Sequence, residues 1–172
     1  LPQWRTLFSK NQSNSTSITT PKPPKKPKTC EFVKLRVHSA EEQERITKKW
    51  HSMADPLAPL EVRRFQVLVA ARLHARCQEP SVRKAMESLR EAFPVLSVTE
   101  VATADPEVLA HYITNLQYYN VKAKQLVKAA NEIKSQFAGM VPEDEHSLLQ
   151  ITGVGKVFAD LLAFVNTRSA HR

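Results

Sequence analysis

The chain has 172 residues and carries 25 Lys/Arg against 17 Asp/Glu, a formal net charge of +8. That length suits one domain plus a tail, and no apolar run reaches what a membrane span needs. Two cysteines, Cys30 and Cys77, are too few for a disulfide scaffold or an all-protein zinc site.

The positive charge is unevenly placed. Residues 1–40 hold eight Lys/Arg and one acid, Glu31, while residues 41–172 are close to neutral. Residues 1–30 contain no acid, residues 11–20 are rich in Ser, Thr and Asn, and residues 21–28 form a polyproline-like basic run. Such a composition buries too little apolar surface to fold alone, so residues 1–39 read as an extended basic arm. Lysines on an extended backbone suit threading between phosphates, which makes Lys22, Lys25, Lys26 and Lys28 candidate nucleic-acid contacts. Trp4 and Phe8 are candidate anchors for its end. The acid-free, Ser-rich and basic start is similar to the downstream part of a mitochondrial targeting region, so the mitochondrial matrix is the expected location. Residues 31–37 alone show strand-like alternation.

From residue 40 to 172 the periodicity is all-α. Residues 40–53 predict a polar helix with Ile46, Trp50 and Met53 on one face, broken by Pro56 and Pro59. Residues 61–77 predict a strongly apolar helix through Phe65, Leu68, Val69 and Leu73. Pro80 suits the first turn of a helix running to Phe93. Ser97 and Glu100 have capping-box spacing for a short helix. Asp105-Pro106 starts another, predicted to reach about Leu116. Residues 121–137 predict a long amphipathic helix.

The stretch at residues 144–168 carries the chemistry. The chain has three glycines, and two of them, Gly153 and Gly155, sit in one turn flanked by apolar residues at helical spacing. This reads as a helix-hairpin-helix. A glycine turn at a helix N-terminus offers unpaired N–H groups and the positive end of the helix dipole to an anion. The amides of Gly153, Val154 and Gly155, with Lys156, are therefore candidate phosphate ligands. No Ser/His/Asp arrangement, HExxH or P-loop is present. Glu143-Asp144-Glu145 reads as a helix start rather than a metal site, and neither a metal nor a cofactor is expected.

In chain order, residues 65–70 (Phe-Gln-Val-Leu-Val-Ala), 81–85 (Ser-Val-Arg-Lys-Ala), 118–124 (Tyr-Tyr-Asn-Val-Lys-Ala-Lys) and 141–155, from Val141-Pro142-Glu143-Asp144 to Gly153-Val154-Gly155, share one resemblance. Together they resemble the six-helix domain of the endonuclease III-like, HhH-GPD family of DNA glycosylases. Gln117 stands where that family usually has glycine. The resemblance places the family's attacking lysine two residues past the second hairpin glycine, where this chain has Val157. Lys156 is adjacent, but one residue turns a helical side chain by about 100°. The family's later aspartate and its iron–sulfur cysteines would fall at or beyond Arg172, and Asp160 lies inside the helix. Arg76, flanked by His74, stands where the family often places a glutamine near the end of its buried helix, which makes Arg76 a candidate phosphate contact.

These features give the expectation of a non-catalytic subunit of a large ribonucleoprotein. A mitochondrial ribosome is the leading setting, with rRNA and ribosomal proteins as partners and DNA less favoured. Two alternatives stand beside it. One is a fragment of an endonuclease III-family glycosylase/lyase; the other is a protein–protein adaptor, whose binding would be insensitive to salt.

Overall fold

The computed structural model describes residues 39–169, and these form eight helices and no strand. The arm expected at residues 1–39 therefore lies outside the described residues, apart from Ser39. Lys22, Lys25, Lys26, Lys28, Trp4, Phe8, Cys30 and residues 31–37 lie there too.

Helix α1 (Ala40–His51) opens on Ser39, whose hydroxyl accepts the Glu42 N–H at 3.3 Å. Acids in its first turn and Lys48, Lys49 and His51 in its last oppose the helix dipole. The predicted face is realised: Trp50 and Met53 are buried and Ile46 packs against the core.

Helix α2 (Leu60–Leu73) is the central element. Its residues from Phe65 to Leu73 are all buried, as befits a helix covered on every side. It packs against α1, α3, α6 and α8. Two polar residues lie in this run. Gln66 is satisfied: its Oε1 accepts the Asp55 N–H at 2.6 Å, and its Nε2 donates to the Val95 carbonyl at 2.8 Å. Arg72 reaches the hairpin.

The end of α2 comes four residues before the predicted Cys77. There the backbone turns over, with Arg76 at φ 59°. The cause is tertiary. Lys122, on α6, is buried and donates its Nζ to the carbonyls of Leu73 and Ala75 at 3.1 and 2.8 Å. A cation at a helix C-terminus satisfies orphan carbonyls and suits the dipole.

Helix α3 (Glu79–Ala92) has Pro80 in its first turn and gives way at Phe93, which precedes Pro94 and leaves helical backbone. Helix α4 (Val98–Thr103) carries the complete Ser97/Glu100 capping box. Helix α5 (Pro106–His111) is shorter than predicted. The chain beyond it continues in three-residue turns, with Ile113 N–H bonding Ala110 O and Leu116 N–H bonding Ile113 O, which still bury Ile113 and Leu116. Helix α6 (Tyr119–Gln136) runs under α4 and α5. Helices α7 (Glu145–Leu148) and α8 (Lys156–Ser169) pack on each other and flank the hairpin. The helices read along the chain are thus all present among the described residues, with α4, α5 and α7 segments of six residues or fewer.

Candidate nucleic-acid interface

The hairpin is built from apolar residues inward and glycines outward. Leu148, Ile151 and Val154 are buried, while Gly153, Gly155 and Lys156 face solvent. The turn closes on itself through the Val154 N–H, which donates to the Ile151 carbonyl at 3.0 Å. The carbonyl of Gly155 accepts the Ala159 N–H at 2.9 Å, so α8 starts at once. Its first turn holds no acid, and its leading N–H groups have no partner within the helix.

Two side chains from other helices support this turn. Arg72 donates to the Gly153 carbonyl and to Gln125 Oε1. Glu132, seven residues after Gln125 on α6, accepts the Thr152 N–H and the Thr152 hydroxyl, both at 2.6 Å. The hairpin is therefore held from below by α2 and α6 together. Arg72 has no carboxylate partner among the described residues, and burial pulls its guanidinium below its ordinary pKa. An arginine stays protonated even so, and the turn rests on one guanidinium and one carboxylate, Arg72 under Gly153 and Glu132 under Thr152.

The two glycines are not equivalent. Gly153 has φ 80°, and a Cβ there would land on the Arg72 guanidinium. Gly155 has no left-handed backbone, and a Cβ there would meet nothing within 4 Å. The fold demands the first glycine and leaves the second open.

The structure brings Gly153, Gly155 and Lys156 onto one exposed surface. Val154 departs from expectation: its N–H is committed inside the turn and its side chain is buried, so its amide is not open to a phosphate. Val157 lies in the first turn of α8 and is 38% exposed. Arg76 is exposed one turn beyond Arg72, and its guanidinium sits 5.8 Å over the ring of Tyr118. His74 packs against Trp50 with ring centroids 5.2 Å apart. Burial, then the charge of Lys49, holds its imidazole below the usual value.

Sequence reasoning missed Arg72, Gln125 and Glu132, and gave Lys122 a place in the family resemblance but no contact role. Arg72 left one trace, a cation inside an otherwise apolar helical run. Glu132 and Gln125 share a helix face, but nothing local marks what that face meets. Among the described residues, no group of three or more His, Cys, Asp or Glu is placed to hold a metal. No helix among them is long and apolar enough to cross a membrane.

Residues 69–168 match the family described as HhH-GPD superfamily base excision DNA repair protein. Endonuclease III of Thermotoga maritima is 30% identical over 101 residues, covering 59% of this chain and 46% of the relative. Endonuclease III of Haemophilus influenzae is 30% identical over 108 residues, 62% of this chain and 49% of the relative. That of Treponema pallidum is 33% identical over 99 residues, 57% and 46%. The chain thus spans about half the length of the curated relatives it matches. Among solved structures, a trapped endonuclease III–DNA covalent intermediate superposes with a TM-score of 0.57 at 21% identity, covering 76% of this chain and 62% of that one. A non-covalent endonuclease III–DNA complex gives 0.55 at 23% identity, covering 73% and 59%. A thermostable thymine-DNA glycosylase gives 0.57 at 18% identity, covering 76% and 62%. At these identities the structural likeness establishes the fold.

These findings overturn the expectation of a ribosomal or other ribonucleoprotein subunit: the relatives are DNA endonucleases. They equally overturn the ranking of RNA above DNA, since two of the similar structures are endonuclease III with DNA. The physical error lay in averaging charge over residues 41–172. A near-neutral body still exposes Lys156 and a helix N-terminus without acids at one turn.

Proposed function

The chain belongs to the HhH-GPD superfamily of base excision DNA repair proteins, and we propose that it docks on duplex DNA through the hairpin at residues 152–156. The observation that carries this reading is the contrast between its glycines. Gly155 is exposed, strain-free and unopposed by any atom of the fold. A missing side chain there serves close approach of an outside group to the backbone. The adjacent helix start, with no acid in its first turn, and the exposed Lys156 make that group an anion, and a DNA phosphate fits it. Lys22, Lys25, Lys26 and Lys28 would add sequence-independent phosphate contacts.

The same reading assigns no lysine-based strand cleavage to this hairpin. Position 157, where the family resemblance puts the attacking lysine, is a valine and offers no amine to form a Schiff base with an abasic sugar. Lys156 starts the helix on a different azimuth.

The test is a duplex containing one abasic site, titrated with the full chain across a salt series. We expect binding that weakens steeply with salt, no incision, and no covalent adduct trapped by borohydride. Gly155→Ala should weaken binding with unchanged helicity. Salt-insensitive binding, or none, would remove the docking proposal; incision at the abasic site would remove the assignment at position 157.

A further inference from the structure

The end of α2 holds chemistry that docking on DNA does not use. Lys122, on α6, is 6% exposed, and its Nζ donates three bonds into the segment from Leu73 to Cys77. Two go to the carbonyls of Leu73 and Ala75. The third reaches the Cys77 thiol, with Nζ 3.0 Å from Sγ. Cys77 is a free cysteine and only half-buried, so a molecule as small as a peroxide has an approach to it.

Two features set this pair apart from an isolated thiol. The amine is fixed: an ammonium has three donors, and all three end on one five-residue segment. A surface lysine would hold many rotamers, whereas this one is kept against the sulfur. Nor does a carboxylate draw it elsewhere, since Lys122 has no acidic partner among the described residues. An oxidisable sulfur and an amine thus sit in direct contact, each a nucleophile once deprotonated.

We propose that peroxide joins Cys77 to Lys122 through a single oxygen atom, Sγ–O–Nζ. The ammonium first releases its extra proton to solvent. One peroxide oxidises the thiol to a sulfenic acid and leaves as water. A second takes two electrons from the amine nitrogen, the sulfenic oxygen becomes bonded to Nζ, and two more waters leave. Overall the S–H bond, one N–H bond and two peroxide O–O bonds break, while one S–O and one N–O bond form. Sulfur and nitrogen each give up two electrons. One bridging atom spans the gap between Sγ and Nζ with little movement, whereas a direct sulfur–nitrogen bond would pull Nζ off both carbonyls. The bridged nitrogen is uncharged and keeps one hydrogen, so one of the two carbonyls loses its donor. In exchange, residues 45 positions apart become covalently tied. A cross-link over such a loop constrains the unfolded chain and raises thermal stability.

The experiment treats the full chain with hydrogen peroxide and maps its tryptic peptides without reductant. The expected product joins the peptide that begins at Cys77 to one spanning an uncut Lys122. Its mass is that of the two peptides plus one oxygen less two hydrogens. Peroxide should raise the melting temperature. Dithiothreitol, whose two equivalents supply four electrons, should return thiol, amine and one water, and the melting temperature with them. Lys122→Arg keeps a cation over the carbonyls without the amine, and should give sulfinic and sulfonic acids at Cys77 with no cross-link. Cys77→Ser should leave Lys122 open to trypsin after peroxide. The proposal is overturned when the wild-type chain yields only such acids or a disulfide at Cys77 while Lys122 is cut normally. A joined pair lacking the extra oxygen is a direct sulfur–nitrogen bond, and it overturns the proposal too.

Discussion

Gly153 and Gly155 are two residues apart, identical in chemistry and both exposed, yet the molecule uses them in opposite ways. Gly153 answers to the fold: its left-handed φ strains any side chain, and a Cβ there would have to displace the Arg72 guanidinium beneath it. Gly155 has ordinary backbone and empty space where a side chain would go. A glycine demanded by the fold reports on the protein's own interior, and a glycine the fold does not demand reports on what approaches from outside. The hairpin has one of each, so its structural and binding roles separate at single-residue resolution.

The comparison can be broken most forcefully at Gly153. Gly153→Ala combines left-handed strain, about 1–3 kcal/mol, with displacement of Arg72 from the Gly153 carbonyl. The total loss should reach about 3 kcal/mol in urea unfolding, and a wild-type midpoint would show that Arg72 relaxes freely. Next in size is Arg72→Met. It fills similar volume but leaves the Gly153 carbonyl and Gln125 Oε1 without their donor. A loss of about 1–3 kcal/mol is expected, with weaker duplex binding as the turn loosens.

Gly155→Ala should sharpen the contrast by doing little to the fold. Its change in unfolding free energy should stay within about 0.5 kcal/mol, while duplex affinity falls. A stability loss equal to that of Gly153→Ala would erase the distinction. Lys156→Gln, on the exposed start of α8, should leave stability unchanged and lower the slope of log affinity against log salt by about 0.9 for one phosphate contact.

The smallest effect is a dependence on pH away from the hairpin. His74 is held below its ordinary value of 6.5, chiefly by burial against Trp50. The unfolded chain then binds this proton more tightly than the folded one. Its contribution to stability is complete above about pH 6.5 and declines as pH falls from there towards the folded value. Glu79, held below the carboxylate range by Lys49 first and then Arg83, acts in the same direction at lower pH. Melting temperature should therefore drop on acidification, and His74→Gln should flatten the upper part of that drop. An unchanged profile in the variant would place the titration elsewhere.

Much of the architecture was legible in the chain itself, for local reasons. Ser39, the Ser97/Glu100 pair and Asp105-Pro106 act on their own neighbouring amides, so their caps form where spacing puts them. The run from Phe65 to Leu73 was so apolar that only a central position could cover it. The glycine spacing in the hairpin likewise carries its own turn geometry. Helix ends set from a distance were not legible: α2 stops at Leu73 because Lys122, 49 residues later, holds its carbonyls. The function was misjudged for a related reason. Net charge sums over a sequence, whereas a phosphate responds to the field at one point on a surface.

The sequence by itself determined an all-helical body, the order of its main helices, a paired-glycine turn, and a valine where the family resemblance expects a lysine. These follow from periodicity, capping and residue identity, which act over a few residues. Only the tertiary structure decided that Arg72 and Glu132 support the turn, that Val154 spends its N–H within it, and that the two glycines have separate tasks. It alone placed Cys77 and Lys122, 45 positions apart, in hydrogen-bond contact. The reason is the range of the forces. Burial, buried charge and hydrogen-bond satisfaction depend on what packs nearby in space, and the neighbours of these residues come from helices far away along the chain.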